Sequence, residues 1–196
     1  MQRGKLILVT GGARSGKSSF AEKLAAEMKK NVIYLATCEP LDEEMARRID
    51  VHKKSRPSDW DTVEEPLAAS SVIAEKGSSD CVILLDCLAL LVSNLLLSGR
   101  EQPDTYTGRA VLAEIERLAK TSRNSAAHVI IVTNEVGMGL VPEYPIGRLY
   151  RDVLGKANQI IAAAADEVYL LISGIPVDVK KLAVSKLQRG QLNLET

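Results

Sequence analysis

Aromatic residues are scarce in this 196-residue chain, which holds one Trp and one Phe, and it has no surplus of positive charge, with 25 Lys and Arg against 25 Asp and Glu. The first shortage leaves little material for the platforms on which single-strand binders stack bases. The second leaves no overall field to draw in DNA or an anionic membrane surface. No nucleic-acid partner is expected. Cysteine is sparse as well: Cys38, Cys81 and Cys87 form no Cys-x-x-Cys pair, and no clustered histidines stand beside them to complete a zinc site. They read as reduced thiols of a cytoplasmic protein. The longest apolar run, around Leu88 to Leu97, is broken by Ser93 and Asn94 and falls short of a bilayer, so no membrane span is expected. A strand-like run begins within a few residues of Met1, so no secretory leader is expected. The 46% of apolar residues suffices for one core at this length, and a single domain over residues 1–196 is expected.

Five short apolar runs recur, at Leu6 to Val9, Val32 to Leu35, Val82 to Leu85, Val129 to Val132 and Val168 to Ile172. They are nearly continuous rather than alternating, as strands covered on both faces require. Between them, Phe20, Leu24 and Met28 make a helical stripe stopped by Lys29, Lys30 and Asn31. Leu112, Ile115 and Leu118 make a second stripe, and Ile160, Ile161, Ala164 and Ala165 a third. Gly99 to Thr107 has no period and reads as a surface loop. Val177 to Val184 alternates briefly, like an edge strand or hairpin. The pattern predicts an α/β fold, a mostly parallel sheet with helices on both faces, whose ligands bind outside the carboxyl ends of the strands.

At the end of the first run stands Gly11-Gly12-Ala13-Arg14-Ser15-Gly16-Lys17-Ser18, which matches Gly-x-x-x-x-Gly-Lys-Ser between a buried-type strand and an amphipathic helix. In such a P-loop the glycines let successive backbone N–H groups turn inward onto phosphate oxygens, and the helix N-terminus adds partial positive charge. Lys17 is the group to neutralise the β and γ phosphates, and the Ser18 hydroxyl a ligand for Mg²⁺. A P-loop enzyme needs a second carboxylate near the metal, at the end of a buried strand beside the first. Asp86 meets that need by position, but also fits a helix N-cap. Asn134 and Glu135 end another run, and read equally as substrate-facing groups or as turn chemistry before Gly137 and Gly139.

Of the two histidines, His128 opens a strand and reads as structural. His52 lies on a predicted helix that begins at Asp42 and ends before Arg56 and Pro57, sharing one face with Leu41, Met45 and Ile49. Arg47, Arg48, Lys53, Lys54 and Arg56 crowd the same stretch. Such cations favour neutral imidazole, the form able to attack phosphorus, but the local sequence by itself favours a solvated basic helix slightly over a nucleophile.

With these residues assembled, the chain resembles the bifunctional adenosylcobinamide kinase / adenosylcobinamide-phosphate guanylyltransferase family of cobalamin biosynthesis. The opening Leu8 to Ser18 is similar almost residue for residue. So are Tyr34-Leu35-Ala36-Thr37, the Asp-Glu-Glu-Met-Ala-x-Arg-Ile segment from Asp42, His52-Lys53 with Arg56-Pro57 and Trp60, the run Val132 to Gly139, and Ala163 to Val168. The resemblance implies a RecA-like P-loop fold and a homotrimer with corrinoid clefts between subunits. It also implies two reactions: transfer of a γ-phosphoryl group from ATP or GTP to adenosylcobinamide, then transfer of GMP from GTP to adenosylcobinamide phosphate through a guanylyl adduct of His52. Ala36, Thr37, Cys38, Lys53, Lys54, Ser55, Arg56, Glu64 and Asp86 match nucleotide-contacting positions, with Mg²⁺ held by Ser18 and Asp86. Two other readings share the P-loop: a kinase of a different small metabolite without guanylyl transfer, and a nucleotide-dependent switch. The second fits poorly with the few aromatics.

Overall fold

The five apolar runs become the five inner strands of one seven-stranded sheet. A computed structural model describes residues 3–39, 57–98 and 108–183. The predicted helix that carries His52, the cations from Lys53 to Arg56 and the predicted loop over residues 99–107 lie outside the described residues.

Along the chain the elements are β1 (Leu6–Gly11), α1 (Lys17–Glu27), β2 (Asn31–Ala36), β3 (Asp61–Glu64), α2 (Ala69–Lys76), β4 (Cys81–Asp86), α3 (Leu88–Ser98), α4 (Gly108–Asn124), β5 (His128–Val132), α5 (Pro145–Ala164), β6 (Glu167–Ile172), β7 (Ile175–Asp178) and α6 (Val179–Leu182). The strands lie in the order β3-β2-β4-β5-β1-β6-β7, parallel except for β7, which runs antiparallel to β6. The alternation read in Val177 to Val184 is therefore only partly strand. It stops at Asp178, whose side chain accepts from the Lys181 N–H and caps the short α6.

Successive residues of a strand point to opposite faces, and here both faces are dry. Leu6 and Leu8 of β1 join a core with α2, α3, α4 and α5, whereas Ile7 and Val9 pack with Ala21 and Ala25 of α1. That two-sided burial is why the strands read as unbroken apolar runs. Helix α4 shows the complementary pattern: Val111, Ile115, Leu118, Ala119 and Ser122 are buried at helical spacing.

The end of the sheet away from the P-loop is pinned by charge. Asp166, just before β6, accepts from Arg3 Nη1 and Nη2 (2.8 and 2.7 Å), from Arg123 Nη1 (2.6 Å) and from the Leu6 N–H (2.9 Å). The Arg3 hydrogen bond, followed by those from Leu6 and Arg123, holds its carboxyl well below the usual carboxylate range. A depressed folded pKa contributes stability above the unfolded value of about 3.9, and the contribution is lost as pH falls from there through the folded value. Asp166→Asn is expected to cost about 1–2 kcal/mol at neutral pH, a figure discounted for the exposed arginines. Urea unfolding is expected to show the gap between variant and native protein closing as the pH drops below about 4. His128, at the same end, accepts from the Lys5 N–H through Nδ1 at 3.1 Å, and burial lowers its pKa. The structural reading of this histidine holds.

Candidate nucleotide site

The sheet's register brings most of the described candidate residues to one rim. Glu64, Ala36, Asp86, Val132 and Val9 are successive partners across β3, β2, β4, β5 and β1. The next residues along these strands are therefore neighbours too, which places Thr37, Cys38 and the loop after Gly11 at the carboxyl ends, where parallel sheets bind ligands.

The loop connects β1 to α1 through backbone angles that only some residues tolerate. Gly11 has φ +154, and a Cβ there would sit 2.6 Å from the Leu171 carbonyl oxygen and 2.7 Å from Ser15 Oγ. Gly16, with φ +91, caps α1 and faces the Gly174 Cα at 3.4 Å from where its own Cβ would be. The Gly174 N–H donates to the Ser15 carbonyl at 2.9 Å, so the β6–β7 turn braces the loop from outside. Ser15 Oγ is buried without a hydrogen-bond partner, which suits a wall built to meet polar oxygens.

Lys17 opens α1 and is 8% exposed, with Nζ donating to the Gly12 carbonyl at 2.6 Å. Burial lowers its pKa, opposed by negative potential from Cys87 and Asp86. Cys87 is itself pushed up to about 12, first by burial, and is neutral near pH 7. The carboxylate of Asp86 is thus the anion that favours a charged Lys17.

Asp86 is not a helix cap. Helix α3 starts at Leu88, the Leu91 N–H donates to the Cys87 carbonyl, and Asp86 Oδ2 accepts from the Tyr34 hydroxyl at 2.7 Å. The Asp86–Cys87 peptide is cis. Thr37, fully buried, clasps the strand end: its Oγ1 donates to the Cys87 carbonyl at 2.8 Å and accepts from the Cys87 N–H at 2.9 Å. Asn94 of α3 in turn donates to the Thr37 and Pro66 carbonyls at 2.7 and 3.1 Å. Cys38 is partly exposed, and burial raises its thiol pKa.

The placement of the acid differs from the expectation of a strand next to β1. Strand β5 stands between β1 and β4, so its end, Thr133-Asn134-Glu135, lies between the P-loop and Asp86. The Glu135 N–H donates to the Gly11 carbonyl at 2.9 Å, and Glu135 Oε1 accepts from the Gly137 N–H at 2.6 Å. The turn chemistry is real, and it is attached to the phosphate loop.

A P-loop on β1, an acid two strands away and a polar strand end between them form a nucleotide-handling frame. The family model for cobinamide kinase / cobinamide phosphate guanyltransferase matches residues 7–179. The chain belongs to this cobinamide kinase / guanyltransferase family. It is 45% identical over 181 residues to the bifunctional adenosylcobalamin biosynthesis protein CobU of Escherichia coli strain K12, covering 89% of this chain and 99% of that protein. Its identity to the protein of the same name from Salmonella typhimurium is 46%, with the same coverage. The fold is also similar to a prototypical ATPase from the type III secretion system of pathogenic bacteria, with TM-score 0.58 and 12% identity, over 94% of this chain and 60% of that one. Membership of the cobinamide kinase family and this P-loop ATPase fold agree with the fold read from the sequence.

The frame contains side chains to which the sequence reading gave no role in the site. Tyr34 and Asn94 hold the functional strand ends without belonging to a phosphate motif. A tyrosine within an otherwise aliphatic strand was the available signal, because a buried hydroxyl must find a partner. Asn94 gave a similar one, as a lone amide among leucines.

Proposed function

We propose that this protein phosphorylates adenosylcobinamide, with ATP or GTP as donor, and then transfers GMP from GTP to adenosylcobinamide phosphate through a guanylyl adduct on His52, giving adenosyl-GDP-cobinamide. The observation that carries this reading is the family match over residues 7–179, which takes in the P-loop, the His52 segment and the Asn134-Glu135 strand end together.

The division of labour follows from the site. Backbone N–H groups of Gly11 to Ser18 and the start of α1 would hold the β and γ phosphates, and Lys17 would release the Gly12 carbonyl to meet them. Neutral His52 would displace pyrophosphate from the α-phosphorus, and the adduct's imidazole would depart when the corrinoid phosphate attacks, which splits one hard displacement into two easier ones. Ala36, Thr37, Cys38, Lys53, Lys54, Ser55, Arg56 and Glu64 complete the proposed nucleotide contacts.

Mg²⁺ fits the donors present. Among the described residues no cluster of three or more His, Cys, Asp or Glu could hold a metal alone, and this ion is commonly bound by one or two carboxylates plus substrate phosphates. Asp86 and Ser18 offer the hard oxygens, and the ion would spread the phosphates' charge. Tyr34→Phe keeps the ring but removes the hydroxyl that holds Asp86. It is expected to raise the Mg²⁺ concentration for half-maximal turnover about 10–100-fold, measured by metal titration of the kinase rate.

No described helix is long and apolar enough to cross a membrane. We place the protein in the cytoplasm, as one domain assembled into a homotrimer with corrinoid clefts between subunits. The test uses two labels. Label from the γ position of ATP or GTP should appear on adenosylcobinamide, and label from the α position of GTP should appear first on the protein and then chase to added adenosylcobinamide phosphate. Transfer of the first label with no protein-bound α label would reduce the protein to a kinase.

A further inference from the structure

Helix α5 turns an apolar face toward the sheet: Val153, Leu154, Ala157 and Ile161 are buried there. One amide interrupts it. Asn158 Oδ1 accepts from the Thr133 hydroxyl at 2.7 Å, and Asn158 Nδ2 donates to the Asn134 carbonyl at 3.0 Å. Both ends of this amide are spent on consecutive residues of one strand end. Thr133 is fully buried, so its hydroxyl needs that acceptor.

The strand end held in this way is the one inserted between the P-loop and Asp86. Its next residue, Glu135, donates through its N–H to the Gly11 carbonyl, and the turn beyond is held by Arg151 of α5, whose Nη2 donates to the Gly137 carbonyl at 2.6 Å. The path from Asn158 through Asn134 and Glu135 to the first residue of the phosphate loop is therefore continuous and made of directional bonds. A hydrogen bond adds little net stability over the bonds to water it replaces, whereas an apolar residue would suit the rest of this helix face. The polar choice is better explained by the geometry it sets than by the stability it adds.

We propose that Asn158 is a positioning residue for phosphoryl transfer, fixing the end of β5 so that Asn134 meets the transferring phosphoryl group between Lys17 and Asp86. The proposal rests on the kinase reading above. In that step the acceptor hydroxyl oxygen bonds to the γ-phosphorus. The bond from that phosphorus to the bridging oxygen breaks, with its electron pair leaving on the nucleoside diphosphate, and the hydroxyl proton passes to water. Asn158 touches none of these atoms. Its effect is orientational, and misplacement of a reacting geometry by about 1 Å costs on the order of 10²-fold in rate.

The experiment compares Asn158→Ala, Thr133→Val and Thr133→Ser with the native protein. It measures kcat and KM for phosphorylation of adenosylcobinamide, kcat for nucleotide hydrolysis without corrinoid, nucleotide Kd and Tm. Asn158→Ala and Thr133→Val are expected to lower both kcat values about 10–100-fold while nucleotide Kd stays within about 2-fold, and Thr133→Ser, which keeps the hydroxyl, should restore the native rate. Unchanged kcat in Thr133→Val, a loss of kcat matched by an equal loss of nucleotide affinity, or failure of Thr133→Ser to rescue would each overturn the proposal. Should Asn158→Ala not fold, the threonine pair decides. Hydrolysis by native protein without corrinoid phosphorylation would sink the kinase reading and leave the positioning claim to be judged on hydrolysis. Absence of both reactions would sink both.

Discussion

Lys17→Met is expected to lower both transfers by about 10²–10³-fold, while leaving the fold intact. The ammonium is buried at the first residue of α1, bonded at 2.6 Å to the Gly12 carbonyl, so it is held ready at the phosphate loop rather than searching for it from solvent. Methionine has similar length and no charge, and it removes a buried amine whose pKa burial already lowers. Thermal unfolding should therefore show no large loss of stability. What disappears is positive charge where negative charge gathers on the outer phosphates. Because the γ-phosphoryl group leaves in the first reaction and pyrophosphate in the second, one residue should serve both. Loss of the kinase step alone, with guanylylation preserved, would show that the two reactions hold their triphosphates in different places.

His52→Ala is expected to separate the two transfers, abolishing guanylyl transfer and sparing the kinase step. Incubation of native protein with α-labelled GTP should leave a label that survives alkali and is lost in acid, as a phosphoramidate does, and the variant should take up none. Arg47, Arg48, Lys53, Lys54 and Arg56 surround this imidazole in sequence. By repulsion such cations would favour its neutral form, the one able to attack phosphorus. A label that persists in His52→Ala would assign the nucleophile elsewhere, without touching the kinase assignment.

The two variants dissect the site as the sequence divides it, but different kinds of residue were legible to different degrees. Strands β1, β2, β4, β5 and β6 could be read because burial on both faces removes the alternation that would otherwise confuse them with half-exposed segments. Strand β3 was not read, because Asp61, Thr62 and Glu64 are exposed and an edge strand of four residues carries no apolar run. Helix α2 was missed for a related reason: it is eight residues long, with Ala69, Ser70 and Ile73 as its only buried positions. Asp86 could be read as metal ligand or cap, and only the Tyr34 hydroxyl and the start of α3 at Leu88 removed the cap.

By itself, the sequence determined the chemistry available: a glycine-bearing loop ahead of a lysine and a serine, an acid closing an apolar run, a histidine among cations and a family resemblance over most of the chain. These are local properties, set by residue type and spacing within a few positions. Only the tertiary structure decided that β5 lies between the P-loop strand and the acid strand, that the β6–β7 turn braces Ser15, and that Asn158 holds Thr133 and Asn134. Strand order and contacts between a helix and a distant strand end depend on pairings far apart in the chain, and no residue encodes its partner in its own neighbourhood.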